Sequence, residues 1–382
     1  MDAARFARYR FYLRQRPVML GVLTVLAILF FVAVTGLSRA HEAQRRAIGD
    51  RWFKRGVADL NAQRFDAAVT DFRAALLYSR DDFSYQLNLA EALLGQAHWP
   101  QASAYLMSLW DREPGNGVVN LELARISARR GENDQAVHYY HNAVYAVWPA
   151  DQEERRRDAR FELIELLLRM HDPAQAQSEL IALAENVGDD WAQQQRIGNL
   201  FLRAEDYEHA LAAFHTSLKE NRHNAAALSG AGNAAFALGR YPVAERYLQA
   251  AVAANPTDST AADRLKTTEL VLRLDPFQRQ ISMAQRHRIV MAAFTTAGQR
   301  LKSCRLPASG SAGLSGEQPS LGDEWTQLKP EITEQGLRRN PDLVETAMDL
   351  VFRIERETDV ICGTPSGPDL ALLMISKLHE GS

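Results

Sequence analysis

The chain contains two cysteines, Cys304 and Cys362. They are the first side chains to consider for covalent chemistry. If the surrounding region lies in an oxidising compartment, the pair can form one disulfide. In a reducing compartment they would instead be two unrelated thiols. Neither cysteine is accompanied by a histidine-bearing signature of a catalytic thiol. The sequence therefore predicts a disulfide, with free thiols as the alternative.

Two histidines, His138 and His141, stand three residues apart on one predicted helix. Two imidazoles at this spacing can begin a metal site, but no carboxylate or cysteine at ligand spacing completes it. The sequence also lacks a glycine-rich phosphate loop, an H-E-x-x-H pair and a G-x-S-x-G elbow. We therefore expect surface or packing roles for these histidines. We expect no cofactor, metal site, small-molecule substrate or catalytic residue, and hence no enzyme.

The distribution of charge separates the first 55 residues from the rest of the chain. These residues contain eleven Lys and Arg against three acidic residues, a net charge of +8, whereas the whole chain has a net charge of −3. The remaining residues are therefore acidic. Because binding to phosphates needs clustered Lys and Arg on one face, this balance argues against a nucleic-acid partner.

The elements that would position these residues are indicated by six alanines, at spacings of 34, 34, 40, 34 and 34 residues. A large apolar residue follows each alanine by four positions, and a small residue precedes all but one by twelve. A fixed period in this range is typical of stacked helix pairs, each of which buries its apolar face against its neighbours. The alanines are Ala68, Ala102, Ala136, Ala176, Ala210 and Ala244; the apolar residues are Phe72, Leu106, Tyr140, Leu180, Phe214 and Leu248; the preceding residues are Gly56, Ala90, Ala124, Ile164, Gly198 and Gly232.

The repeats also share features of a known family. Four repeats have an aromatic residue near the predicted turn, and two repeats are closed by a proline. The aromatic residues are Phe65, Trp99, Tyr207 and Tyr241, and the prolines are Pro114 and Pro256. With the small residue and the alanine, this pattern resembles the tetratricopeptide repeat (TPR) over roughly residues 49–258. The turn aromatic is replaced by Asn133 in the third repeat and by Pro173 in the fourth. Ile164 replaces the small residue of the fourth repeat, and six extra residues precede that repeat. The resemblance implies an all-α fold, a right-handed α-solenoid of about six TPR helix pairs, which we assign to residues 44–258.

The same resemblance implies a peptide-binding groove on the concave surface made by the first helix of each pair. Its candidate residues are Glu91, Arg125, Gln195, Asn199, Arg203 and Asn233. Asn199 and Asn233 occupy equivalent places in consecutive repeats. A side-chain amide can both donate a hydrogen bond to a peptide backbone and accept one from it. Ordinary solvent-facing polar residues are the alternative. Members of the family that bind chaperone tails clamp a carboxylate with lysines; here those places are Phe53, Leu87 and Leu121, so that partner is not expected.

The N-terminal region predicts a membrane anchor. Residues 1–17 form a basic lead-in, and residues 18–37 are twenty uncharged residues, long enough as a helix to cross a hydrocarbon core of about 30 Å. A cleaved signal peptide is the alternative, with Ser38 and Ala40 at its cleavage site, but its apolar part is normally about 7 to 15 residues. Charges near the ends favour a cytoplasmic N-terminus, which would place the repeats in the periplasm of a bacterium.

An interruption and a C-terminal region complete the sequence-based assignment. Residues 148–152 break the period, which indicates a bend between two three-unit blocks, and the arginines at 155–157 are expected to face solvent in a mixed-charge first turn. Residues 259–303 are assigned to capping helices, the second of them starting at Phe277. A Gly/Ser/Pro linker at 304–322 and a small helical tail at 323–382 follow. Helical patterns are predicted in the tail at 323–338, 341–358 and 368–379.

These features together predict a single-pass membrane protein that binds a protein or peptide partner in the groove, as a scaffold or adaptor of a bacterial envelope. A cytosol-facing receptor on an organelle surface is one alternative, and reduced cysteines would distinguish it. An enzyme or carbohydrate-handling protein with its site in the tail is the other. A polar pocket between the tail and the last repeat would favour that reading.

Overall fold

The computed structural model describes residues 3–148, 150–304 and 320–379, without the side chains of residues 3–18 and 150. Within these ranges it contains eighteen α-helices, one 3-10 turn at Ala150–Gln152 and no β-strand. The all-α class is confirmed. The helices are α1 Ala3–Asn61, α2 Phe65–Leu76, α3 Phe83–Gly95, α4 Trp99–Arg112, α5 Gly117–Arg130, α6 Asn133–Tyr145, α7 Glu153–Arg169, α8 Pro173–Val187, α9 Trp191–Arg203, α10 Tyr207–Glu220, α11 Ala225–Ala237, α12 Tyr241–Ala254, α13 Ser259–Leu274, α14 Met283–Ser303, α15 Leu321–Leu328, α16 Glu334–Arg339, α17 Asp342–Cys362 and α18 Gly367–Leu378.

The chain divides into two compact units, Met1–Leu166 and Leu167–Ser382. The end of α1 pairs with α2, and α3 with α4 and α5 with α6, so the first unit contains three helix pairs. The second unit contains the end of α7, α8 and the pairs α9–α10 and α11–α12, followed by α13 to α18. The division falls within α7, beyond the predicted interruption at residues 148–152.

The packing inside each pair follows the repeated sequence pattern. All six alanines of the period are fully buried, and so are the large apolar residues four positions later except Tyr140, which is 4% exposed. Glycine allows the first helix to approach the second: a Cβ atom added to Gly56 would lie 2.7 Å from Phe72, and one added to Gly232 would lie 2.6 Å from Leu248. Any side chain there would displace the facing residue. The small residues therefore fix how closely the two helices pack, as the period predicts.

The turn inside each helix pair uses a left-handed residue at one fixed position, seven residues after the small residue. Glycine occupies this position in two of the six turns, and Gln63, Ala97, His171 and Glu205 occupy it in the others, with φ between 57° and 59°. A side chain in this conformation costs about 1 kcal/mol because its Cβ crowds the backbone. Four turns therefore carry local backbone strain that the packed helices must offset.

The capping helices and the tail share one hydrophobic core in the second unit. Buried side chains of α13, α14 and α15 to α18 pack together with Tyr241 of α12. Trp325 stacks on Phe294, with ring centroids 5.6 Å apart, and its indole N–H donates to the Phe294 carbonyl oxygen at 3.1 Å. Cys304 and Cys362 form a disulfide with Cα atoms 6.0 Å apart, which joins the ends of α14 and α17.

The tail core also contains a buried carboxyl group that the sequence does not indicate. Glu355 on α17 is fully buried. Burial raises the pKa of its carboxyl to about 8, and the nearby Asp369 carboxyl at the start of α18 raises it further, while Arg300 opposes the shift. Glu355 therefore binds a proton more tightly than an exposed glutamate does.

Two predicted helices in the C-terminal region have the wrong bounds. The helix expected to start at Phe277 starts at Met283, because Asp275 accepts a hydrogen bond from the Phe277 backbone N–H at 2.9 Å in a turn and Ser282 caps the helix. The single helix expected over residues 323–338 is two, α15 and α16, and the second begins at its own cap, Thr333. The linker at 304–322 stays a prediction, because its residues 305–319 lie outside the described residues; α15 begins at Leu321, near its predicted end.

Replacing Ala97 by glycine should stabilise the protein. Ala97 has φ 59°, whereas the equivalent Gly131 has φ 76° with no atom near its missing Cβ. Relief of strain should exceed the entropy that glycine adds to the unfolded chain, for a net gain of about 0.5 kcal/mol. Gly131→Ala is the matched reverse change and should cost about 0.5 kcal/mol on the same two terms. Thermal unfolding of the full chain in detergent should give a higher Tm for Ala97→Gly and a lower one for Gly131→Ala; equal shifts of one sign would contradict this account of the turns.

Candidate functional site

The six candidate groove residues divide between the two units. Glu91 on α3 and Arg125 on α5 belong to the first unit, whereas Gln195, Asn199 and Arg203 on α9 and Asn233 on α11 belong to the second. The two sets differ in their chemistry, and each is therefore described by itself.

In the first unit, Arg125 is the centre of a network of charged side chains. Its guanidinium donates to Glu122 Oε1 at 2.7 Å and to Glu162 Oε1 at 2.6 Å, so that it links its own helix to α7. The Tyr140 hydroxyl on α6 donates to Glu162 Oε2 at 2.9 Å. Three helices are thereby joined through one guanidinium and one carboxylate.

Arg155 extends this network to α3. Its Nη2 atom donates to Glu91 Oε1 at 2.7 Å and lies 3.5 Å from Glu122 Oε1. The expectation that this arginine faces solvent with its neighbours is wrong, because two glutamates of preceding helices lie within its reach. Arg156 does pair locally, with Glu153 at 2.6 Å. The five residues Glu91, Glu122, Arg125, Arg155 and Glu162 are called the charged network below.

Burial of the charged network indicates that its ion pairs stabilise the first unit. Glu122 is buried, and desolvation raises the pKa of its carboxyl, while the Arg125 charge opposes that shift. Burial also raises the pKa of Tyr140, and the Glu162 carboxylate adds to the effect. Each carboxylate of the network faces at least one guanidinium, so Glu91 and Arg125 are already engaged by side chains of their own unit.

In the second unit, Gln195 is also engaged, but through neutral hydrogen bonds. Its Oε1 atom accepts a hydrogen bond from Asn224 Nδ2 at 2.6 Å, and Asn224 Oδ1 in turn accepts one from the Ala227 backbone N–H at 3.1 Å. Asn224 is the N-cap of α11. Gln195 therefore fixes the start of α11 relative to α9.

Asn233 and Asn199 differ from these residues. The Oδ1 atom of Asn233 is buried, and no donor among the residues that the structure describes reaches it. Asn199 and Arg203 are exposed on α9. The second unit therefore presents an amide with an unpaired carbonyl oxygen and, 34 residues earlier, an exposed amide at the equivalent helical position.

Both histidines of the pair have polar or aromatic neighbours on their own helix. His138 Nε2 lies 3.3 Å from Asn142 Nδ2, and His141 stacks on Tyr145 with ring centroids 5.9 Å apart. Across residues 3–148, 150–304 and 320–379, no group of three or more His, Cys, Asp and Glu is placed to hold a metal ion.

The predicted membrane segment is part of α1 and is exposed on all sides. Its large apolar side chains between Met19 and Leu37 are 48% to 74% exposed. The two hydroxyls in this stretch are satisfied within the helix, since Thr24 Oγ1 donates to the Leu20 carbonyl and Thr35 Oγ1 to the Phe31 carbonyl, both at 2.8 Å. In length and composition this helix suits a membrane span, a test that a signal sequence also passes.

Comparisons with known proteins find the repeat and solved structures of similar fold. The sequence profile described as tetratricopeptide repeat matches residues 53–116 and 196–259. Among solved structures, YrrB, titled a TPR protein with an unusual peptide-binding site, has 17% identity and a TM-score of 0.42, and the match covers 50% of this chain and 95% of YrrB. PilF of Pseudomonas aeruginosa has 15% identity and a TM-score of 0.43 over 57% of this chain and 97% of PilF. The C-terminal part of a TPR repeat-containing protein from Cytophaga hutchinsonii has 12% identity and a TM-score of 0.46, over 63% and 94% of the two chains. No curated protein matches the sequence.

Removal of the Arg125 guanidinium should destabilise the first unit in a pH-dependent way. Arg125→Met leaves the buried Glu122 and the partly buried Glu162 short of positive charge, which should cost about 2 kcal/mol. Arg156→Met is the matched control, because its partner Glu153 is exposed, and should cost about 0.5 kcal/mol or less.

The pH dependence follows from the raised pKa of Glu122. A carboxyl whose pKa is higher in the folded than in the unfolded state binds protons more tightly when folded, so stability falls as pH rises through that interval. Loss of Arg125 raises the folded pKa further. Chemical unfolding of the full chain should therefore show a larger loss for Arg125→Met at pH 8 than at pH 5. Equal losses for the two variants at both pH values would show that the charged network does not stabilise the unit.

Proposed function

We propose, from the tetratricopeptide repeats that this chain carries, that it is a membrane-anchored scaffold or adaptor whose second unit binds a peptide segment of a partner protein. The TPR fold is one of protein–protein interaction scaffolds. Proteins of this fold are in general binding scaffolds rather than enzymes, and the proposed mechanism contains no catalytic step.

The unpaired carbonyl oxygen of Asn233 is the observation that supports a peptide-binding site in the second unit. A buried acceptor without a donor costs about 1–3 kcal/mol, and a backbone N–H of a bound peptide would remove this cost once the Asn233 side chain turns its oxygen toward the peptide. The equivalent Asn199 is exposed and can both donate to and accept from the next part of an extended chain. Gln195 and Arg203 flank this surface on α9, and Gln195 holds the N-cap of α11 in place.

The first unit plays a different part in this proposal. Glu91 and Arg125 were candidates for the same groove, but both are ion-paired within the charged network. A peptide would have to break these pairs and leave the buried Glu122 without its partners. We therefore propose that Glu91 and Arg125 brace the first unit and that peptide contacts are made by the second.

Residues 18–37 are proposed to anchor the chain in the cytoplasmic membrane of a bacterium, with a cytoplasmic N-terminus and periplasmic repeats. A twenty-residue segment that is apolar on every face and exposed finds its favourable environment in a bilayer. The arginine-rich lead-in before it favours the inward orientation. The disulfide between Cys304 and Cys362 fits the same orientation, because disulfides persist in the periplasm and are rare in the cytosol.

Peptide capture by the second unit can be tested with a photocrosslinking amino acid introduced in cells at Asn199, with Lys219, exposed on α10, as the control position. A discrete crosslinked partner is expected from position 199 and not from 219. The crosslinked segment, made as a synthetic peptide, should then bind the full chain in detergent about five-fold more weakly after Asn233→Ala, the effect of one lost hydrogen bond.

Asn186→Ala is the matched control for the peptide measurement. Asn186 is exposed in the same unit and donates to the Ala182 carbonyl of its own helix at 2.6 Å, so its loss should leave peptide binding unchanged. Asn233→Ala should not lower Tm, because the carbonyl that it removes has no donor in the described structure. A large fall in Tm with unchanged peptide affinity would mean that Asn233 has a packing role, and identical crosslinks from both positions would overturn the proposed surface.

The orientation can be tested with a membrane-impermeant maleimide on intact cells whose outer layer has been permeabilised. If the repeats are periplasmic and the cysteines are bonded, labelling of Cys304 and Cys362 should require prior reduction. A Cys304→Ala variant should be labelled at Cys362 without reductant. Labelling that occurs only after lysis, with or without reductant, would place the repeats in the cytosol and favour the organelle-receptor alternative.

A further inference from the structure

The helix that contains the apolar segment continues without interruption into the first repeat. α1 runs from Ala3 to Asn61. The first buried residue after the apolar stretch is Gly49, where an added Cβ would lie 3.1 Å from Tyr85 and 3.3 Å from Tyr78. The next residue, Asp50, accepts a hydrogen bond from the Tyr85 hydroxyl at 2.6 Å. Residues 38–48 therefore form a helical segment of about 17 Å between the apolar stretch and the repeat.

This connecting segment is basic and largely unpaired. It contains three arginines, Arg39, Arg45 and Arg46, against the single acid Glu42, and all four are exposed. Arg45 Nη2 donates to the Leu77 carbonyl oxygen at 3.4 Å, a long hydrogen bond. Arg39 and Arg46 form no hydrogen bond or ion pair with any residue for which the structure describes a side chain. Their charges are therefore available to a partner outside the described protein.

The helical rise places these arginines close to the surface of a bilayer that contains residues 18–37. Counted from Leu37, the Cα atom of Arg39 is about 3 Å and that of Arg46 about 14 Å further along the helix axis. The polar headgroup layer extends about 5–8 Å beyond the hydrocarbon core. Arg39 thus lies inside this layer, and Arg46 lies above it by no more than about one Debye length of 8 Å. A long arginine side chain shortens that gap.

We propose that Arg39, Arg45 and Arg46, the arginine collar, bind the phosphate groups of anionic phospholipids in the leaflet on the repeat side of the membrane. This inference rests on the proposed membrane anchor. The planar guanidinium matches the phosphate geometry with two parallel hydrogen bonds, and the phosphates of phospholipids lie in the headgroup layer of either leaflet. Because α1 is continuous, headgroup binding here also restrains the first repeat at a fixed height above the bilayer.

The test is lipid selectivity of the full chain in neutral detergent, measured by native mass spectrometry after addition of an equimolar mixture of phosphatidylglycerol and phosphatidylcholine. The wild type should retain phosphatidylglycerol preferentially. Arg39→Gln together with Arg46→Gln should lower the ratio of retained phosphatidylglycerol to phosphatidylcholine by about five-fold or more, since each basic residue near a charged surface contributes about that factor. The matched control is Lys54→Gln with Arg130→Gln, which removes the same charge from exposed positions beyond the connecting segment.

The outcomes separate the lipid from a free phosphate and the arginine collar from the anchor. Soluble glycerol phosphate at the same concentration should not displace the lipid; displacement would show a simple phosphate site and overturn lipid recognition. Equal retention of the two lipids by the wild type, or an unchanged ratio in Arg39→Gln/Arg46→Gln, would overturn the arginine collar while leaving the anchor intact. A chain recovered without membranes, and without lipid of either kind, would instead overturn the anchor and the arginine collar together.

Discussion

The contact between a small residue on the first helix of a pair and a large apolar residue on the second is the constraint on which the described repeats depend. At Gly56, Gly198 and Gly232 the facing ring or leucine would lie within 3 Å of any added Cβ, so no side chain fits there without a shift. This contact sets the distance between the two helices of a pair. It also sets the rotation of the first helix, because only one face can approach so closely. Of the residues next to the small residue, Arg125 is partly exposed and Asn199 is exposed, whereas Val57 packs against the core of the first pair.

The same helical position therefore carries different chemistry in the two units. Immediately after the small residue stand Glu91 and Arg125 in the first unit and Asn199 and Asn233 in the second. The charged residues find partners of opposite sign on neighbouring helices, and burial of Glu122 makes that pairing necessary. The asparagines find no such partner: one is exposed and the other keeps an unpaired oxygen. A repeat fixes where a side chain points, and the residue type then decides whether the position stabilises the fold or stays open to a ligand.

The sequence predicts the repeat better than it predicts the site, for a physical reason. Helix pairing, the buried alanines and the close approach at glycine follow from local spacing, which a helical period makes visible. The charged network depends on which residues of different helices meet, and Arg155 looks like any arginine in a mixed-charge first turn. Glu355 is similarly unremarkable in the sequence, although it is fully buried. The left-handed turn residue could have been found by counting seven positions from each small residue, since Gly131 and Gly239 mark it; four non-glycine residues obscure that signal.

The tail covers an apolar face at the end of the stack of helix pairs. A final pair exposes the apolar face that a further repeat would cover, so a solenoid needs a terminal element with a polar outer side. In the second unit, α13 and α14 begin this cover, and the tail helices complete one core that includes Tyr241 of the last pair. Cys304 and Cys362 are 58 residues apart in the sequence, and closing a loop of that length costs conformational entropy that the tail contacts must offset. The disulfide between Cys304 and Cys362 reduces this cost by joining α14 to α17 directly, and Arg300 adds a hydrogen bond to the Gly363 carbonyl at 2.7 Å beside it. Because of this disulfide, the packing of the tail on the last helix pair depends less on noncovalent contacts.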